Sequence, residues 1–533
     1  MSTTRSGPRG TRSSDAGASS CWGLQVPRVS DGLAHSAVRG ATVTLTAQGA
    51  RILLQLLSIV VLSRLLTPHD YGLLTIVLVM IGIGEIFRDF GLTSASVQAP
   101  ELSSAQRDNL FWINTGIGAV LACLMFLAAW PIQAVSQQPE LLGIAQALSA
   151  MFLFNGLATQ YRAQLMRSLR FVALAIADIA AATLALIVAI IAAYQGAGYW
   201  ALVAQQLTSG LVLLAALSIQ GRWLPGWYSR SAPVRDMLVF GWNLVATNLI
   251  SYGASQIDTI LVASRFGTTS VGVYNRAYQL VMTPLSQMRS PLTNVALPIL
   301  SRIQDDKERF DAFVIGGQLA LGYCFGIPLL LVAGLADPLV QILLGPQWAQ
   351  AAPFLRCFAI AGLLSTLAFV GYWTYVARGL ANQLFRYTMV ATAIKVICVV
   401  VGSFFGLEWI AVGFMLAPAL EWPLSLFWLS RITSFPARSL YGGAFRILTV
   451  AGLMGGVAWL GSMLVADANP WAQVGVGVGV ALVEALLLLA VPSLRRDLGT
   501  LMGFARLVVK RRGSRSEGAG VPERSASDRG RSR

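Results

Sequence analysis

Apolar segments about twenty residues long follow one another along most of this chain, and they limit its fold more than any other feature. A bilayer core needs roughly 20 apolar residues per helical span, and each span must satisfy its own backbone hydrogen bonds. Hydrophobic residues make up 55% of the 533 residues and charged residues only 12%, which excludes an ordinary soluble domain. The sequence therefore predicts an all-α, polytopic membrane protein.

We expect about fourteen transmembrane helices joined by short loops. They are predicted near residues 44–66, 71–95, 110–130, 140–161, 171–193, 197–219, 237–262, 271–299, 312–334, 351–377, 383–405, 409–430, 442–465 and 471–491.

The basic residues orient these spans. The net charge is +15, and its Arg and Lys residues lie mainly in both tails and in alternate loops. Cytoplasmic loops carry such an excess, so we expect both termini in the cytoplasm and no nucleic-acid partner. Arg64 and Arg265 fall on the outward side instead, with Arg356 close to it, and topology does not explain them.

One sequence pattern occurs twice, about 200 residues apart. Ser63-Arg64 ends an apolar segment shortly before Gly72, and Ser264-Arg265 does so shortly before Gly272. This pattern predicts a duplication: two pseudo-symmetric six-helix bundles facing each other around a central cavity, followed by two accessory helices. The predicted divisions are a disordered cytoplasmic arm (1–40), an N-terminal bundle (41–230), a C-terminal bundle (231–435), the accessory helices (436–495) and a basic cytoplasmic tail (496–533).

No motif in the sequence indicates an enzyme or a metal site. The five Cys and two His have no ligand spacing, and there is no catalytic or nucleotide-binding signature. We therefore expect no cofactor and no metal, and we expect transport to draw on an ion gradient or on the consumption of its substrate.

Basic side chains inside predicted spans are the candidate substrate ligands. A charge at the bilayer centre costs at least about 2.5–3.5 kcal/mol, so it usually faces a wet cavity or a partner. We predict that Arg51, Arg276, Arg289 and Lys395 line a cavity for an anionic ligand, because Arg can hold phosphate oxygens in bidentate fashion. Arg276 and Arg289 lie thirteen residues apart in one span and are expected to face roughly similar directions. The alternative for Arg51 is an internal ion pair or a position near the membrane interface.

Acidic residues in the spans are candidates for coupling or gating. Asp258 is the predicted ion-coupling carboxylate, and pairing with a neighbouring Arg is the alternative. Glu85, Arg88 and Asp89 are predicted to form a self-neutralising cluster at an inner gate, and a proton site is the alternative. Pro284, Pro291 and Pro298 lie in one span, where they either bend a moving helix or only shape its packing.

Four segments carry a family resemblance: LSRLLTPHDYGLL, FRDFGL, QIDTILVASRFGTTSVGVYNRAYQL and ALPILSRIQDD. They resemble bacterial polysaccharide flippases of the multidrug/oligosaccharidyl-lipid/polysaccharide exporter superfamily, over about residues 40–430. The resemblance implies two six-helix bundles and flipping of undecaprenyl-diphosphate-linked oligosaccharide across the inner membrane. It also implies alternating access, coupled to protons or sodium. Implied partners are membrane lipids, a polysaccharide polymerase and a chain-length regulator.

Three other functions remain open from the sequence. A peptidoglycan lipid-precursor flippase would share the helices and the cationic cavity, and a multidrug/cation antiporter of the same superfamily would favour an acidic, aromatic one. A polysaccharide polymerase or ligase would need a large outward loop, whereas every predicted outward loop is short.

Overall fold

The computed structural model describes the backbone of residues 31–89, 103–229, 235–492, 494–497 and 499–501. Most of the predicted arm, residues 1–30, and most of the predicted tail, residues 502–533, lie outside these ranges. The first helix begins at Asp31, so the last ten residues of the predicted arm, 31–40, are helical.

Fourteen α-helices and one 3₁₀ turn make up the regular structure of the described residues. They are α1 (Asp31–Leu65), α2 (Pro68–Asp89), α3 (Ser104–Ser136), α4 (Glu140–Arg167), α5 (Phe171–Tyr194), α6 (Tyr199–Gly221), α7 (Arg235–Arg302), α8 (Lys307–Gly334), α9 (Ala336–Leu343), the 3₁₀ turn (Pro346–Ala351), α10 (Ala352–Ala377), α11 (Ala381–Ser403), α12 (Leu407–Ile432), α13 (Ala437–Met463) and α14 (Pro470–Leu488).

Twelve helices of the described chain are long and apolar enough to cross a membrane. All of α1 to α14 except α7 and the short α9 contribute to them, so the prediction of an all-α, multi-pass membrane protein is confirmed. The long helix α7 has two arms, residues 235–266 and 268–302, which occupy the places of two further predicted spans. Counting these two arms as spans would bring the total from twelve to the predicted fourteen, and that total stays a prediction.

Helix α7 is interrupted at Gly267, between the second Ser-Arg pair and Gly272. Gly267 has a φ of +80° and a ψ of 178°, a conformation that a residue with a Cβ rarely adopts. Because a Cβ there would meet no atom within 4 Å, the glycine is required by the backbone and not by crowding. The first arm therefore ends where α1 ends in the first copy of the pattern.

The same helix pairings occur in both parts of the chain. Among α1–α6, which we call the N-terminal bundle, α3 packs on α4, α4 on α6 and α5 on α6. Among α7–α12, the C-terminal bundle, α8 packs on α10, α10 on α12 and α11 on α12. Each pairing in the first bundle thus has its counterpart in the second, as a duplication predicts.

The accessory helices pack on the C-terminal bundle. Helix α13 lies against α8, where a Cβ added to Gly334 would be 2.1 Å from the Gly455 carbonyl oxygen. Helix α14 lies against α13 and the short α9. Their close backbone contact makes α13 and α8 one packed unit.

Candidate functional site

The two bundles meet where the α1–α2 turn contacts the interruption of α7. We call this contact the outer interface, after the predicted orientation. A Cβ added to Gly72 would lie 1.8 Å from the Thr268 carbonyl oxygen, and one added to Gly272 would lie 1.9 Å from that of Pro68. The contact is reciprocal, and both glycines are needed because each faces backbone of the other bundle.

Hydrogen bonds across the bundles accompany this glycine contact. The Ser63 carbonyl oxygen accepts from Trp348 Nε1 at 2.8 Å and from Gln347 Nε2 at 2.9 Å. His69 Nδ1 and Thr268 Oγ1 are 2.9 Å apart, and Arg64 donates to the Ile342 carbonyl. Every one of these contacts lies at the outer end of the boundary between the bundles.

Arg276 lies inside the outer interface. Its guanidinium carbon is 3.4 Å from the centre of the Tyr71 ring, and Tyr71 in turn packs against Trp348. Only 7% of Arg276 is exposed, its Nη1 donates to Gln279 at 2.8 Å, and its buried Nε has no partner in the described chain. It is a buried cation that contacts the other bundle, and no carboxylate of the described residues pairs with it.

Arg289 points away from the outer interface, into the C-terminal bundle. It donates to Ser365 Oγ at 2.8 Å and to Thr366 Oγ1 at 3.0 Å, both on α10. The expectation that Arg276 and Arg289 face the same way is wrong, because thirteen residues at 3.6 per turn rotate through about 220° beyond three full turns. The two arginines therefore serve different surroundings.

Asp258 is a buried carboxylate on the first arm of α7. Only 2% of the residue is exposed, and its Oδ2 accepts from the Tyr274 hydroxyl at 2.9 Å. Its Oδ1 is buried and has no hydrogen-bond partner among the described residues, nor does any described Arg or Lys pair with it. The alternative of an Asp258–Arg ion pair is therefore not seen in the described chain.

An aromatic cluster adjoins this carboxylate through Tyr274. Tyr274 contacts Phe358 with ring centres 5.0 Å apart, and Phe358 contacts Phe414 at 5.2 Å. Lys395 contacts the same cluster, with its Nζ 4.9 Å from the Phe414 ring centre and 3.3 Å from the carbonyl oxygen of Ser255, three residues before Asp258. An acid and a base thus both border one aromatic cluster.

Arg51 belongs to an ion cluster in the N-terminal bundle. It is 3.4 Å from Asp178 of α5, and Arg162 of α4 pairs with the same carboxylate. The Arg51 side chain is 45% exposed. The cluster matches the internal pairing that was the alternative for Arg51, and it keeps one positive charge in excess.

Glu85 and Arg88 form a second ion cluster in the same bundle. Arg88 Nε is 2.5 Å from Glu85, Asn155 donates to Glu85 at 2.8 Å, and Arg88 also bonds Thr159. These contacts join α2 to α4 within one bundle. The side chain of Asp89 lies outside the described residues.

The inner part of the boundary between the bundles is bridged differently. Gln287 accepts from Gln48 at 2.9 Å and donates to Gln55 at 2.7 Å, and we call these three residues the glutamine bridge. Beside it lies an apolar cavity of about 410 Å³ between α1, the second arm of α7 and α8. Its walls include Ile52, Met288 and Phe325.

Comparison with known proteins identifies the family. The profile of a family described as polysaccharide biosynthesis protein matches residues 61–353, more than half of the chain. The chain belongs to this family. The matched range contains the whole outer interface, from Ser63 to Trp348, together with Asp258, Arg276 and Arg289. Arg51 and Lys395 lie outside it.

Two bacterial proteins are similar in sequence to this chain over most of its length. The lipopolysaccharide biosynthesis protein WzxC of Escherichia coli (strain K12) is 26% identical over 74% of this chain and 81% of its own length. The succinoglycan biosynthesis transport protein ExoT of Rhizobium meliloti (strain 1021) is 24% identical over 61% and 66%, respectively. A solved structure of the lipid II flippase MurJ, in an inward closed conformation, shares the fold with a TM-score of 0.60. It covers 84% of this chain and 98% of its own, at 14% identity.

Some residues of the polysaccharide biosynthesis protein's site were not predicted from its sequence. Tyr274, Tyr71 and Gln287 carry no charge in their usual states, so the search for charged residues inside the predicted spans did not mark them. The structure also separates the four predicted cations: Arg51 in the N-terminal bundle, Arg276 between the bundles, and Arg289 and Lys395 in the C-terminal bundle.

Proposed function

We propose that this polysaccharide biosynthesis protein is a lipid-linked oligosaccharide flippase. It moves undecaprenyl-diphosphate-linked repeat units across the inner membrane by alternating access, with both termini in the cytoplasm. Its family, the printed names of WzxC and ExoT and the fold shared with the flippase MurJ support a transporter of this kind. They agree with the prediction that the chain is not an enzyme.

The outer interface carries the proposal, because it is built to open and close. It joins the two bundles through backbone contacts at Gly72 and Gly272 and through a few neutral hydrogen bonds. Two arginines add to these contacts: Arg64 donates to the Ile342 carbonyl, and Arg276 packs on the Tyr71 ring. In the described chain, no ion pair bridges the bundles there. Neutral hydrogen bonds contribute only about 0.5–1.5 kcal/mol each and those to charged groups about 1.5–3 kcal/mol, so the two bundles can separate at modest cost.

The cations take successive roles along the path of the diphosphate. Arg51 is half exposed and part of a cluster with excess positive charge, so it suits a first contact with the incoming diphosphate. Arg276 is released from Tyr71 when the outer interface opens, and its guanidinium then becomes free to hold phosphate oxygens. Arg289 and Lys395 add positive charge on the side of the C-terminal bundle.

The apolar cavity beside the glutamine bridge suits the isoprenoid chain of the substrate. Its walls are almost entirely apolar, and it lies between α1, α7 and α8 at the boundary of the bundles. The isoprenoid tail would therefore stay in an apolar environment while the glycan crosses, and Gln287 would exchange partners as the bundles move.

Asp258 is the proposed coupling site. Burying an unpaired carboxylate is costly, and a bound proton or cation removes that cost. Because Tyr274 joins Asp258 to the second arm of α7, loading the carboxylate can change how the two arms meet at Gly267. Glu85, Arg88 and Asp89 are proposed to stabilise the inner end of the N-terminal bundle during opening. Membrane lipids, a polysaccharide polymerase and a chain-length regulator are the proposed partners.

The direct test is transport by the purified chain in proteoliposomes. Undecaprenyl-diphosphate-linked oligosaccharide is placed in one leaflet, and its arrival in the other is followed with a membrane-impermeant glycosidase. We expect flipping of this substrate, and neither flipping of lipid II nor export of a cationic dye. Flipping of lipid II alone, or dye export alone, would assign the chain to one of the two alternative functions.

A further inference from the structure

A second cavity lies at the outer end, beside the first arm of α7, whereas the glutamine bridge lies on the second arm. Its volume is about 520 Å³, and it lies between α2, the end of α3 and the interruption of α7. Unlike the apolar cavity, it has many polar groups in its wall. They are Ser136, Gln138, Thr259, Ser264, Arg265 and Thr268.

Arg265 is the one cation among the described residues that line this cavity. Its guanidinium is fixed by Nη1, which donates to the Ser403 carbonyl oxygen at 3.0 Å, and by the Phe404 ring 4.5 Å away. No other hydrogen bond of the guanidinium occurs within the described part of the chain. The side chain is therefore held in place and keeps N–H donors for a ligand.

The other two outward arginines are used differently. Arg64, the counterpart of Arg265 in the duplicated pattern, donates to the Ile342 carbonyl of the other bundle. Arg356 pairs with Asp337. Arg265 has no acidic partner in the described chain, although an outward arginine is disfavoured by topology. A ligand that carries negative charge explains why it stands there.

We propose that Arg265 and the hydroxyl groups around it form a release-side site for a lipid-linked phosphate or diphosphate. This inference rests on the proposed function and names the outward subsite of the same transport path. The planar guanidinium would bind phosphate oxygens, and the exposed Ser264 hydroxyl, which donates to the Leu261 carbonyl oxygen at 3.2 Å, would turn to donate to the ligand. The cavity lies beside the outer interface, where Arg276 becomes accessible, so the headgroup would pass from Arg276 to Arg265 as it leaves.

Two sources can supply this chemistry: the flipped substrate and the phosphate of an ordinary phospholipid. Binding of undecaprenyl diphosphate, undecaprenol and phosphatidylglycerol to the purified full chain in detergent is measured for wild type, Arg265→Gln and Arg356→Gln. We expect Arg265→Gln to weaken undecaprenyl diphosphate binding about tenfold, the usual effect of losing a charge-assisted hydrogen bond. Arg356→Gln should bind like wild type, and Arg265→Lys should retain part of the affinity.

The outcomes separate the possible failures. Equal binding by wild type and Arg265→Gln overturns the site, and so does tighter binding of phosphatidylglycerol than of undecaprenyl diphosphate. Thermal unfolding of each variant detects a folding defect, and Ser264→Ala provides a second, uncharged change at the same cavity, with a smaller loss of binding expected. If wild type binds through Arg265 but flips no lipid-linked glycan, the transport proposal fails while the site stands.

The side of the membrane is tested independently. Ser264→Cys, in a chain whose five native cysteines are replaced, should react with a membrane-impermeant maleimide added outside cells. Inverted vesicles should leave that cysteine unlabelled, and undecaprenyl diphosphate should protect it in detergent-solubilised preparations. Labelling only from the cytoplasmic side would contradict a release-side site.

Discussion

The outer interface and the glutamine bridge join the same two bundles in different ways. At the outer end, backbone meets backbone, and Gly72 and Gly272 leave no space even for a methyl group. Further in, one side chain, Gln287, reaches Gln48 and Gln55 on α1. The glycine contact of the outer interface is either fully formed or broken, because backbone atoms have no side-chain torsions that could keep the contact as the bundles separate. The hydrogen bonds of the glutamine bridge can be replaced one at a time as the side chains rotate.

This difference suggests how alternating access is divided between the two ends. The outer interface acts as a two-position contact, whereas the glutamine bridge adjusts over a range of separations. Asp258 lies closer to the outer interface, because Tyr274 binds it from the arm of α7 that carries Gly272. Ion loading should therefore act mainly on the outer end.

The largest effect is expected from Gly72→Ala. The added Cβ would lie 1.8 Å from the Thr268 carbonyl oxygen, and overpacking of this kind costs about 1–3 kcal/mol. The closed outer interface should lose up to about 100-fold in population, and flipping in proteoliposomes should fall accordingly. Gly253→Ala on α7 is the matched control, because its Cβ would meet no atom within 4 Å. Equal activity of the two variants would mean that the outer interface does not close during transport.

The next largest effect is expected from Asp258→Asn, which should uncouple flipping from the ion gradient. The amide cannot be loaded and unloaded with a proton or cation, so an imposed ion gradient should no longer accelerate flipping. Couplings of this kind are worth about 5- to 150-fold, and the loss should lie in that range. The measurement is the initial rate with and without a proton or sodium gradient. Asp178→Asn serves as the control, since Asp178 is held by Arg51 and Arg162, and it should keep the gradient response.

A smaller effect is expected from Gln287→Ala. It removes two neutral hydrogen bonds of about 0.5–1.5 kcal/mol each, partly replaced by water. The inner part of the boundary should open more often, and a cysteine at position 52 should be labelled a few times faster from the cytoplasmic side. Unchanged labelling would show that the glutamine bridge does not limit access.

The smallest change is expected from Asp178→Asn in stability. The variant leaves Arg51 and Arg162 with a neutral partner, and because both arginines are a third to a half exposed, the loss should be near 1 kcal/mol. Thermal unfolding in detergent measures it, with Asp337→Asn as a comparison at another exposed pair. A loss of several kcal/mol would place this cluster in a drier environment than the structure shows.

Much of the fold follows from the sequence, because apolar length and repeated turn signals are local. The Ser-Arg pairs and the two glycines marked both turns that form the outer interface. The α9 segment and its 3₁₀ turn were predicted as loop, since a helix of eight residues is too short for a span. Their contact with Ser63 depends on residues more than 280 positions away.

The site was predicted less completely, because charge can be read from sequence but direction cannot. Arg51 and Asp178 are 127 residues apart, and nothing local shows that they pair. Tyr274 is sixteen residues after Asp258 and reaches it only because α7 breaks at Gly267. Uncharged residues that complete a site through tertiary contacts leave no mark in composition or spacing.

Paired distance measurements across the two ends test the central claim most directly. Spin labels at Gln195 and Phe405, in corresponding turns, report the outer ends of the bundles, and labels at Leu169, just before α5, and Asn382, at the start of α11, report the inner ends. On addition of lipid-linked oligosaccharide and an ion gradient, the outer distance should lengthen in the same population in which the inner distance shortens. Two distances that stay fixed, or that lengthen together, would contradict alternating access between these bundles.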